Sequence, residues 1–107
     1  MIAHPDVTAV IVSTPEQAHT APILQALKLG KPVLVEKPIG FSLSEADKIL
    51  DVLRETKGSL RVGYSRRYKE CFLRAKEQMR HGRLGKVVGG TARVYNSRAQ
   101  AFAILKR

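Results

Sequence analysis

Two short apolar runs, Val7–Val12 and Pro32–Val35, flank a stretch of helical character that stops at Gly30, and this spacing constrains the fold more than any other feature. Runs that short read as buried strands, and the helix-length stretch between them reads as a crossover. Strand, helix, strand in that order implies a parallel pair joined by a βαβ connection. The second run ends on Glu36-Lys37-Pro38. In open α/β sheets ligands bind outside the carboxyl ends of the strands, so a carboxylate and an amine there are candidates for chemistry. A lysine suits carbonyl or redox work, and the proline behind it stiffens the turn that aims it. The same residues also fit a solvated pair leaving a buried strand.

The first run, a strand over about Thr8–Ser13, leads into Ser13-Thr14-Pro15-Glu16-Gln17-Ala18-His19. Thr14 is placed to cap a helix, Pro15 suits its first position, and Gln17 completes a capping box with Thr14. A helix over Pro15–Leu29 is expected, its free N–H groups aimed at the sheet edge, where they favour an anion or a polar cofactor. The second strand covers about Pro32–Glu36, and its Lys37–Pro38 bond is a candidate for the cis form. Ser42-Leu43-Ser44-Glu45 is a second capping box, opening a helix with Ala46, Ile49, Leu50 and Leu53 on one face and Gly58 as its stop. A strand over Leu60–Tyr64 follows, then a helix over Tyr68–His81 with Tyr68, Phe72, Ala75 and Met79 on one face. Val88, Thr91 and Val94 mark a further strand near Lys86–Asn96, bent at Gly89-Gly90. The Ala99–Leu105 run is apolar but too short to assign.

The fold class expected from this order is α/β. Three βα units form the second half of a Rossmann-like parallel sheet, the contiguous 4-5-6 block of a 3-2-1-4-5-6 order, followed by the first strand of an α+β domain. Residues 1–83 would be the C-terminal half of a dinucleotide-binding domain, and residues 84–107 the start of a substrate or oligomerisation domain. In such an arrangement the Thr8–Ser13 and Lys86–Asn96 strands carry open edges, which invite homo-oligomerisation.

Strand, Thr-Pro-x-x-x-His, helix, Gly-Lys-Pro, strand, Glu-Lys-Pro in this order resembles the Gfo/Idh/MocA family of NAD(P)-dependent oxidoreductases, which includes inositol dehydrogenases and glucose–fructose oxidoreductase. The resemblance continues through Val62-Gly63-Tyr64-Ser65-Arg66-Arg67-Tyr68 and Gly82-Arg83-Leu84-Gly85-Lys86-Val87, and it runs from about Asp6 to Arg98. It implies hydride transfer between NAD or NADP and a sugar, cyclitol or related polyol. Lys37 then matches the family lysine beside the nicotinamide and the reacting carbon. An ammonium there can polarise a carbonyl, stabilise an alkoxide and pass a proton. Glu36 would hold that lysine or contact the nicotinamide ribose, and Thr14 and Pro15 would line the nicotinamide-side wall. His19 matches the family's cofactor-side histidine, although a packing role fits it equally. Ser65 ends the third strand at the same sheet edge, where it can reach ribose or substrate or simply shape a turn.

The chain has no Gly-x-Gly-x-x-Gly, since Gly82-Arg83-Leu84-Gly85 lacks both the spacing and a preceding strand. No strand-terminal acid is placed for a ribose hydroxyl, and the family's acidic-then-His substrate motif has no match. The expectation is the middle of the family's fold, starting after the pyrophosphate loop, with weak cofactor affinity and little activity in isolation. A non-catalytic binding or interaction module built on half a Rossmann fold is the competing class, and a basic nucleic-acid-binding domain is third.

Composition bounds these readings. The 107 residues allow one modest core. A single cysteine, Cys71, excludes an intrachain disulfide, fits a reducing compartment and reads as a buried structural thiol. Met1–Asp6 lacks the pattern of a secretory signal, and no apolar run approaches the ~20 residues of a membrane span. A soluble cytoplasmic protein follows. Residues 1–53 hold four Lys/Arg against six Asp/Glu, and residues 54–107 hold fifteen against three, within a net charge of +10. That asymmetry raises the question of an anionic partner. The bases are dispersed, however, aromatic residues are few, and no nucleic-acid-binding signature is present. Arg66 and Arg67 read as generic bases, and His4 and His81 have no metal-ligand spacing around them.

Overall fold

A computed structural model describes residues 1–95, Ser97 and Ala99. Strands β1 (Val10–Val12), β2 (Val33–Glu36) and β3 (Leu60–Gly63) form one parallel sheet in the order β1-β2-β3. Because side chains alternate along a strand, the register sorts the sheet into two kinds of row. Val10, Val33 and Leu60 align, as do Val12, Val35 and Val62, and these rows face the core. Ile11, Leu34 and Arg61 align between them and face outward, with Ile11 73% and Leu34 43% exposed. Helices α1 (Thr20–Lys28) and α2 (Leu43–Thr56) pack on each other and supply the other half of the core: Ile23, Ala26 and Leu27 from the first, Ile49 from the second. The three βα units of the expected half-Rossmann sheet are therefore present.

The first helix is shorter than its sequence predicts. Glu16–Ala18 is a single 3-10 turn whose N-cap is Pro15, with no side-chain cap, and α1 begins at Thr20. The Thr14–Gln17 capping box does not form. Pro22 accounts for this: in a helix opening at Pro15 it would fall in the interior, lacking an N–H and clashing with the carbonyl four residues back. In a helix opening at Thr20 it sits in the first turn, where no donor is needed. At the other end, Gly30 (φ 68°) donates to Leu27 O and Lys31 to Ala26 O, a Schellman closure that satisfies two terminal carbonyls.

The second capping box forms as expected. Ser42 Oγ accepts from the Glu45 N–H at 3.3 Å, and Glu45 Oε2 accepts from the Ser42 N–H at 3.1 Å and the Phe41 N–H at 2.7 Å. At the C-terminus of α2 the left-handed residue is Lys57 (φ 50°), not Gly58. Gly58 is needed for a different reason, since a Cβ there would lie 2.9 Å from Leu27 Cδ2.

The chain divides into two compact units, Met1–Lys69 and Glu70–Arg107. The first holds the sheet, α1, α2 and a 3-10 turn at Ser65–Tyr68. In the second, helix α3 (Glu70–Arg80) closes with a Schellman pattern at Gly82 (φ 68°). The expected helix over Tyr68–His81 is thus split, because Lys69 is extended (ψ 134°), and Tyr68 does not share a helical face with Phe72, Ala75 and Met79. Phe72 and Met79 are about half exposed, and α3 buries no residue, so Cys71 is exposed too. The structure thus overturns the expectation of a buried thiol. No strand forms over residues 86–95, where Val87, Val88, Val94 and Tyr95 are exposed. A strand needs a partner for its backbone groups, and the described sheet ends at β1 and β3. Asn96 and, apart from Ala99, the Ala99–Leu105 run lie outside the described residues. Among the described residues no helix is long and apolar enough to cross a membrane.

Candidate functional site at the carboxyl edge of the sheet

Parallel strands deliver their carboxyl ends to one edge. The last register pair of the sheet, Glu36 with Gly63, lies on that edge. Beyond it a cavity of about 370 Å³ opens, lined by Glu36, Lys37, Gly63, Tyr64, Ser65, Arg66 and Arg67. Two segments far apart in sequence build it: the end of β2 with its following residue, and the end of β3 with the 3-10 turn that follows. The turn curls the chain back through backbone bonds from Arg67 N–H to Tyr64 O and from Lys69 N–H to Arg66 O. That curl brings Ser65, Arg66 and Arg67 to the same opening. Gly63 lets β3 lie close against β2 at this edge, because a Cβ there would meet Val35 O at 3.3 Å and Glu36 Cδ at 3.7 Å.

The site is chemically mixed. Glu36, Lys37, Ser65, Arg66 and Arg67 are all exposed, and none has a salt-bridge partner among the described residues. Glu36 Oε2 accepts from the Lys37 main-chain N–H at 3.3 Å, a local bond that leaves the Lys37 ammonium without a carboxylate partner. The Arg67 guanidinium carbon lies 5.7 Å from the centroid of the Tyr64 ring, within cation–π reach. Three cations, one carboxylate, a hydroxyl and an aromatic face therefore converge, an arrangement suited to a polar ligand that carries oxygen atoms.

Of the residues singled out in sequence, the cavity gathers Lys37, Glu36 and Ser65. Thr14 and Pro15 are exposed on the loop after β1 and do not line it. His19 does not line it either: it is 1% exposed, with Nδ1 2.8 Å from Pro38 O and Nε2 2.9 Å from Thr14 O. The Lys37–Pro38 bond is cis. Sequence reasoning left Tyr64, Arg66 and Arg67 without a site role. The strand-ending stretch Val62–Arg67 carried the signal, but their placement depends on a tight turn where a helix was expected to follow.

Comparison with known proteins identifies the family. Residues 1–64 match the family model GFO_IDH_MocA, described as an oxidoreductase family with an NAD-binding Rossmann fold. An uncharacterized oxidoreductase of Schizosaccharomyces pombe is 38% identical over 88 residues, covering 82% of this chain and 24% of the relative. The scyllo-inositol 2-dehydrogenase (NAD(+)) of Bacillus subtilis is 33% identical over 88 residues, covering 82% of this chain and 26% of its own. The crystal structure of scyllo-inositol dehydrogenase from Lactobacillus casei with bound NAD(H) and scyllo-inositol superposes with a TM-score of 0.74 at 30% identity, over 80% of this chain and 26% of that one. The chain thus spans about a quarter of the length of the curated relatives it matches. With its parallel sheet, its strand-end lysine and these matches taken together, the chain belongs to the Gfo/Idh/MocA oxidoreductase family.

Proposed function

We propose that this chain works within a cytoplasmic nicotinamide-dependent oxidoreductase that moves a hydride between NAD or NADP and a cyclitol, sugar or related polyol. The observation that carries the reading is Lys37 lining a cavity on the carboxyl edge of a parallel sheet, with its ammonium free of a carboxylate partner among the described residues. The names of the relatives support the substrate class. Bound NAD(P) supplies the hydride acceptor or donor. Glu36, Lys37 and Ser65 of the cavity lining would hold its nicotinamide end, and the sequence holds no glycine-rich loop for the pyrophosphate. In the reducing direction the Lys37 ammonium donates a hydrogen bond to the substrate carbonyl oxygen, then its proton as that oxygen becomes an alkoxide. Glu36 and Ser65 offer an acceptor and a hydroxyl to ribose or substrate hydroxyls at the same opening. Residues 1–83 would serve as the C-terminal half of the dinucleotide-binding domain and residues 84–107 as the start of the next.

The test is to substitute this chain for the matching quarter of a full-length relative such as the Bacillus subtilis enzyme and to assay NAD-linked polyol oxidation. Turnover should survive the exchange and fall about 100-fold or more in Lys37→Ala. Undiminished turnover in that variant would remove Lys37 from the chemistry. For the chain alone we propose weak nicotinamide binding, little turnover and self-association through the open β1 edge. Saturable, tight NADH binding by fluorescence would contradict the first of these.

A further inference from the structure

His19 is the buried polar side chain of the core, 1% exposed among the described residues. Both of its ring nitrogens are engaged, and both partners are main-chain carbonyls: Pro38 O at 2.8 Å from Nδ1 and Thr14 O at 2.9 Å from Nε2. Those carbonyls belong to different loops. Thr14 lies on the loop that leaves β1, and Pro38 on the loop that leaves β2, one residue past Lys37.

The loop after β2 has few other ties. Sheet pairing ends at Glu36, Pro38 has no N–H, and among the described residues the Lys37 N–H donates only to its neighbour's carboxylate. Ile39 packs against the core, which gives the loop an apolar anchor beyond Pro38. Over residues 37–40 the hydrogen bond that reaches across the fold, among the described residues, is the one at Pro38 O. We propose that His19 is a positioning residue: its ring clips the two loops together and so fixes the main chain that carries Lys37 to the cavity mouth. A leucine of similar size would fill the space but offer neither carbonyl a donor. Carbonyl oxygens only accept; the neutral ring, with one N–H, serves one of them, and the doubly protonated ring serves both.

The chemistry of the ring makes the two contacts separable. The amide nitrogen of an asparagine lies near the place of Nδ1, and that of a glutamine near the place of Nε2. His19→Asn therefore offers a donor to Pro38 O, and His19→Gln offers one to Thr14 O. The catalytic meaning of this clip rests on the reading of Lys37 given above. The clip itself is read without cofactor or turnover, so failure here and failure of the dehydrogenase assignment are separate results.

The experiment is NMR on the 107-residue chain, following the Lys37 amide and side-chain Cε resonances, with the Ile23 and Ile49 methyl signals reporting the core. His19→Asn should leave the Lys37 signals near their wild-type positions. His19→Gln should displace them and broaden them while the core methyls stay in place. Equal displacement in both variants, or none in His19→Gln with native core signals, would overturn the proposal. The wild-type protein provides an independent check should a variant not fold. A slowly exchanging ring N–H of His19 with NOEs to Pro38 or Ile39 protons is expected, and a rapidly exchanging ring without them would also overturn it.

Discussion

Ile49 and its neighbour Leu50 offer a sharp test of how α2 is held. The helix contributes one fully buried side chain, Ile49 at 0% exposure, whereas Leu50 is 40% exposed. Ile49→Ala removes three carbons from the buried cluster that Ile49 shares with Val35, Ile23 and Leu27. Large-to-small changes of this kind cost about 2–5 kcal/mol. Leu50→Ala should cost less than about 1 kcal/mol, because roughly 25 cal/mol per Å² applies only to the area actually withdrawn from water. A folded unit of this size is stabilised by only about 3–10 kcal/mol, so the first change should consume much of it. Urea unfolding followed by far-UV circular dichroism measures both, as a drop in midpoint at unchanged slope. The consequence reaches the site, since α2 is the crossover that joins the two strands whose ends line the cavity. If Ile49→Ala and Leu50→Ala lowered the midpoint equally, the packing of α2 described above would be wrong.

Other consequences are smaller but equally definite. Ser42→Ala should cost about 1 kcal/mol, and with Glu45→Ala it should show non-additivity in a double-mutant cycle by urea unfolding, because the two side chains cap reciprocally. Gly30→Ala should destabilise by about 1–2 kcal/mol from backbone strain alone, since φ is 68° and no atom lies within 4 Å of the added Cβ. Lys57→Gly should raise the unfolding midpoint, relieving a left-handed residue at the end of α2. The β1 edge should produce concentration-dependent association in light scattering, and Ile11→Lys should suppress it; a sharp monomer at all concentrations would argue that the edge is covered.

Features set by neighbouring residues were legible in the sequence, and those set by distant ones were not. The Ser42–Glu45 box and the turn at Gly30 close within a few residues, so the local pattern determined them. The Thr14–Gln17 box had the same pattern and failed because Pro22, farther along, forbids a helix that starts so early. The strand expected near residue 86 depends on a pairing partner, which no local propensity supplies. In the site, Glu36 and Lys37 could be found because strand ends in a parallel sheet share one edge. Arg66 and Arg67 could not, since their arrival at the cavity depends on the tight turn at Ser65–Tyr68. The placement of His19 was legible only as a choice between two roles, because its partners lie on loops that meet in three dimensions.

The central place of β2 has a kinetic consequence. Each of its pairings joins segments roughly 25 residues apart, so every hydrogen bond of the sheet closes a long loop before it is rewarded. Neither β1 nor β3 can find a neighbour until β2 is in place, and β2 is only four residues long. The rate-limiting step should then be the docking of β2 against α1 and α2, with both flanking strands added in the same event. Mutations at Val33 and Val35 should slow folding, whereas changes in α3 should leave that rate untouched.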